Sequence, residues 1–81
     1  MTTFNTWLDT LISEKGVDVE QVLEVQGESG TNFIPVECVL EAIRGASPAE
    51  QQGIKKTLVM IDFKNGDVLH FIRHLAQALA R

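Results

Sequence analysis

With 81 residues, 44% of them hydrophobic, and a formal net charge of −4, the chain has the length of one domain and the composition of a globular rather than a disordered protein. No run approaches the roughly eighteen apolar residues that span a bilayer. Met1-Thr2-Thr3-Phe4 lacks a basic stretch followed by an apolar one, so the chain is expected in the cytosol, away from any membrane. Cys38 stands alone, which excludes an intramolecular disulfide, and no cluster of Cys and His offers a structural zinc site. Ordering a residue costs roughly 1.5 kcal/mol and a core this small leaves a net of about 3 to 5 kcal/mol, so self-association is the remaining means of support.

Phe4, Trp7, Leu8, Leu11 and Ile12 recur at helical spacing and predict an amphipathic helix over about 3–15, closed by Gly16. Asp18, with Gln21 three places on, has the form of a capping box and predicts a short helix over about 18–25. Gly27-Glu28-Ser29-Gly30-Thr31-Asn32 has turn chemistry and reads as the longest loop. Pro35 suits a first helical turn, and Val36, Val39, Leu40 and Ile43 carry a third helix over about 35–44. Ser47-Pro48-Ala49-Glu50 is the strongest start signal, a serine N-cap with proline at the first helical position and glutamate three places on, and it opens a helix over about 48–63.

The end of that helix has two readings. Leu58 to Phe63 is rich in strand formers and Asn65-Gly66 is a hairpin turn, so an α+β fold with a hairpin around Asn65-Gly66 is the alternative. Val68, Phe71, Ile72, Leu75, Ala76 and Leu79 share one helical face, however, which makes Asn65-Gly66 a helix stop and Asp67 the N-cap of a helix over about 67–80. Gly53 costs its helix about 1 kcal/mol relative to alanine and predicts another backbone passing close by. The expected fold is all-α, a compact bundle of four or five short helices forming a single domain over 1–81.

The central helix is apolar on two sides. At about 100° per residue, Ile54, Leu58 and Ile61 form one stripe and Val59, Met60 and Phe63 lie opposite. A surface helix needs one such stripe, so Val59, Met60 and Phe63 are the expected partner-binding residues of a non-enzymatic interaction module, a homodimer or an adaptor. Charge is also divided. Through Ile43 eight acids stand against Lys15 alone, a net of −7, whereas from Arg44 onward six bases stand against three acids, a net of +3. If the halves fold on each other this is attraction within the domain; if they form separate surfaces, opposite potentials favour head-to-tail or antiparallel pairing of two copies.

Other chemistry is weaker. His70 and His74 stand one helical turn apart but lack the general-base glutamate of the zinc-protease pattern, and they read as a solvated face with Arg73 and Gln77. Cys38, among Val36, Val39 and Leu40, reads as a small buried hydrophobe rather than a nucleophile. The Gly27 to Gly30 segment lacks the lysine and hydroxyl of a phosphate loop. Trp7 reads as core, with an interface anchor the sharper alternative. No catalytic, metal or cofactor residue is expected. A nucleic-acid-associated regulator using Lys55, Lys56, Lys64 and Arg73 is the second functional reading, weakened by Glu37 and Glu41 on the third helix.

Gly30-Thr31-Asn32-Phe33-Ile34-Pro35, Ile61-Asp62-Phe63-Lys64-Asn65-Gly66-Asp67 and His70-Phe71-Ile72-Arg73-His74-Leu75-Ala76 together resemble a group of short uncharacterised bacterial proteins carried on plasmids and integrated elements. The resemblance spans most of the chain and implies a bacterial cytosolic protein in a mobile-element setting. It transfers no functional residues.

Overall fold

A computed structural model describes residues 3–80. The order is α1 (Phe4–Lys15), β1 (Val22–Gly27), β2 (Gly30–Pro35), α2 (Val36–Arg44), α3 (Pro48–Phe63) and α4 (Val68–Leu79). Four helices and a two-stranded antiparallel hairpin make the fold α+β, which overturns the all-α bundle. The class is that of the alternative, but the hairpin occupies 22–35, and Asn65-Gly66 joins α3 to α4.

The helix expected over 18–25 gives way to a strand because its local start signal is outweighed by pairing across the hairpin. The Asp18 carboxylate does accept a hydrogen bond from the Glu20 N–H at 3.0 Å, yet this closes an isolated turn that does not propagate. Beyond it the chain alternates: Leu23 and Val25 are buried while Val22, Glu24 and Gln26 face out. Val22 pairs with Pro35, Leu23 with Ile34, Glu24 with Phe33 and Val25 with Asn32, around a two-residue turn at Glu28-Ser29. Gly30 takes φ 120°, a conformation L side chains rarely adopt, so the supposed long loop is a tight hairpin.

The hairpin also starts α2. Pro35 caps that helix without a side-chain bond, and the first two orphan amides are satisfied by the approach to β1: Val36 N–H donates to Gln21 O at 2.8 Å and Glu37 N–H to Val19 O at 3.2 Å. The remaining caps are local. Thr3 accepts from Thr6 N–H, Ser47 from Glu50 N–H and Asp67 from Leu69 N–H, while Gly16 closes α1 at φ 64°.

The core gathers Leu8, Leu11 and Ile12 of α1, Leu23 and Val25 of β1, Val36, Val39, Leu40 and Ile43 of α2, and Val68, Ile72 and Ala76 of α4. α3 adds Leu58 as its single fully buried residue. α4 is the hub, packed on β1 and α2, with α3 laid against it. Its C-terminal end closes on the hairpin: the Gln77 amide donates to Gln26 O, and a Cβ on Gly27 would meet Ala80 O at 2.7 Å. Among the described residues, no helix is long and apolar enough to cross a membrane.

Two finer expectations are corrected. Outside its own helix backbone Gly53 has no atom within 4 Å of where a Cβ would stand, so among the described residues no other backbone passes there. Cys38 is exposed, because the helical period that turns Val36, Val39 and Leu40 inward rotates position 38 to the outside of α2.

Candidate partner-binding face

α3 can present two faces because its start is fixed by Ser47 and Pro48 and it runs for 16 residues without interruption. Ser47 accepts from Glu50 N–H at 3.3 Å, and its hydroxyl donates to the Glu50 carboxylate at 2.9 Å, so the serine cap is formed, with Glu50 bonded to the capping hydroxyl and not to the Ser47 N–H of a full capping box. This overrides the strand preference of Leu58 to Phe63. Leu58 is buried and Ile54 and Ile61 are half-buried on the inward stripe. On the opposite side Val59 and Met60 are each 51% exposed and Phe63 is 86% exposed.

The three sequence-expected residues therefore share one surface. With Gly53, Lys55 and Lys56 they line a shallow open depression of about 730 Å³ whose walls come from α3 alone. A pocket for a small molecule needs walls from several elements that enclose most of the ligand; a single helix face encloses no such ligand. At 100° per residue Lys56 falls in the middle of the exposed apolar stripe, with Lys55 along one side and Lys64 along the other. The Lys55 ammonium also stands 5.3 Å from the Trp7 ring centroid, and Trp7 is tilted against Phe4 with centroids 5.7 Å apart.

Ion pairing within the domain bypasses these lysines. Arg44 meets Asp9 at 2.6 Å and Glu37 at 3.1 Å, and Lys15 pairs with Asp62. The hydrogen bond to Asp9, supported by Glu37, holds the Arg44 guanidinium above its ordinary pKa against the opposing effect of burial. Among the described residues, Lys55, Lys56 and Lys64 have no carboxylate at ion-pair distance. Arg73, grouped with them in the nucleic-acid reading, belongs instead to α4, where it lines a separate shallow surface with His70, His74 and Gln77.

A second exposed apolar surface was not foreseen. The outward side of the hairpin carries Val22 and Phe33, 52% and 68% exposed, with Pro35 paired to Val22 and Glu24 paired to Phe33. A hairpin with one face on the core ordinarily alternates apolar inside with polar outside, and these residues break that rule. The period-two run Leu23-Glu24-Val25-Gln26 signals the strand, which a helical reading hides, but not the exposure of Val22 and Phe33. Comparison with known proteins adds no analogy to this geometry: no family model matches the chain, and neither does any curated protein or solved structure.

Proposed function

We propose that this is a non-enzymatic protein–protein interaction module, acting as a homo-oligomer or adaptor through the outward face of α3. The observation that carries the reading is the exposure of Val59, Met60 and Phe63 side by side on a helix whose opposite side is already packed. Burying a fully exposed apolar side chain of this size contributes about 1.5 to 3 kcal/mol, and with Val59 and Met60 half-exposed the three amount to about two such side chains, roughly 3 to 6 kcal/mol before the cost of association. The lysines around the stripe set orientation and attract an acidic partner surface rather than supplying the bulk of the affinity. A cytoplasmic bacterial setting belongs to the same proposal and is supported by the lone thiol and the sequence resemblance.

Sedimentation velocity across micromolar concentrations tests it. The wild-type chain is expected to exceed the 9.0 kDa of one copy, and Val59→Asp with Phe63→Asp to return it to that mass with helical circular dichroism intact. A wild-type monomer at every concentration, with no partner captured through this face, would end the proposal.

A further inference from the structure

We propose that the surface α3 receives is the outer face of the hairpin of a second copy of this chain, so that copies associate head to tail. The inference rests on the α3 face being an interface and names what covers it.

Charge selects the occupant. The α3 stripe is set among Lys55, Lys56 and Lys64, none of which is neutralised by a carboxylate among the described residues. Pairing two α3 faces would bring one lysine trio against the other, with like charges meeting across newly desolvated apolar surface. The hairpin offers the opposite: Phe33 and Val22 stand exposed on its outer face, Glu24 lies directly beside Phe33, and exposed Glu20 and Glu28 sit at either end of β1. Glu20, Glu24 and Glu28 likewise have no cation at ion-pair distance among the described residues. Each surface thus combines exposed apolar side chains with charge of one sign that no ion pair among the described residues answers, and the signs are opposite.

Shape agrees with charge. The bare backbone at Gly53 leaves the α3 face low at one end and Phe63 raises it at the other, so the surface can accept a protruding ridge. Phe33, 68% exposed on the outer face of the hairpin, is the side chain offered to it. Within one copy the hairpin packs on α4 and α2 and α3 packs on α4, so neither surface is covered by the other. A contact between different patches on two copies is heterologous, and it continues into a ring or a filament unless it is blocked.

Blocking each side separately gives the test. Val59→Asp with Phe63→Asp disables the α3 face; Phe33→Asp disables the hairpin face, with Glu24→Gln as a milder second variant. Each disabled chain alone is expected to sediment as a monomer, whereas an equimolar mixture of the two forms a complex of about 18 kDa, twice the 9.0 kDa chain, that does not grow with concentration. Glu24→Gln is expected to weaken association about tenfold in low salt and to lessen its salt dependence. If Phe33→Asp and Glu24→Gln chains associate as the wild type does while the α3 variant is monomeric, the hairpin assignment is overturned and the α3 interface stands. If the α3 variant associates as the wild type does, the interface reading itself falls, and a mixture of two monomeric variants that stays monomeric rules out the heterologous contact.

Discussion

α3 and α4 lie against each other, yet they divide their surfaces differently. α4 turns Val68, Ile72 and Ala76 into the core and leaves His70, Arg73 and His74 to water, as a helix in a small domain is expected to do. α3 contributes Leu58 to the core and carries three large apolar side chains outward, Val59, Met60 and Phe63, opposite Ile54, Leu58 and Ile61. The lesson is that the domain is organised around α4, while α3 is a helix the domain holds out. Its inward stripe fixes it in place, and its outward stripe, half or more exposed at each residue, adds little to the monomer's stability.

That contrast can be broken first in the core. Ile72→Ala on α4 and Leu58→Ala on α3 should each lower unfolding free energy by about 2 to 5 kcal/mol in urea denaturation, because both remove fully buried side chains. If Leu58→Ala costs far less than Ile72→Ala, α3 is docked more loosely than its burial implies. The caps come next: Ser47→Ala and Asp67→Ala should cost about 1 kcal/mol each, since both helices begin with one side-chain acceptor on an otherwise unpaired amide. A clear inequality would show which helix depends more on its own start and which on packing.

Gly53→Ala should stabilise the monomer by about 0.5 to 1 kcal/mol, because the site is open and the backbone there is helical. The same substitution should weaken self-association, so thermal stability and sedimentation ought to move in opposite directions. The smallest effect belongs to Phe63→Ser, which should change monomer stability by less than about 0.5 kcal/mol, since its ring touches mostly solvent. A larger loss would mean that the outward stripe is structural after all, and the distinction between the two helices would collapse.

The parts of this fold that a sequence reveals are those governed by local chemistry. Ser47-Pro48-Ala49-Glu50 defines where α3 begins, and Asp67 after Asn65-Gly66 defines where α4 begins, because capping is settled within four residues. Asn65 takes φ 58° at that junction, and a Cβ on Gly66 would come within 2.7 Å of the Ile61 side chain, so the helix stop is enforced by both positions. The hairpin was concealed by an equally local signal pointing the wrong way. Asp18 does bond a downstream amide, but a carboxylate that closes one turn cannot decide whether the chain continues as helix or strand. That was decided by Ile34 pairing with Leu23 and by Val36 N–H reaching Gln21 O, contacts between residues on opposite sides of the hairpin turn. The α3 face was legible for the same reason that α3 was. The hairpin face was not, since exposure of Val22 and Phe33 depends on which way the strands turn.

The stacking of Lys55 over Trp7 has a practical consequence. Trp7 is the sole indole in the chain, and its cationic neighbour belongs to the surface where a partner would dock. Whatever draws that ammonium toward a carboxylate changes the field at the ring, so emission from the unlabelled protein becomes an optical gauge of occupancy. Titrating one copy against another in a fluorimeter would follow assembly without dye, tag or immobilisation.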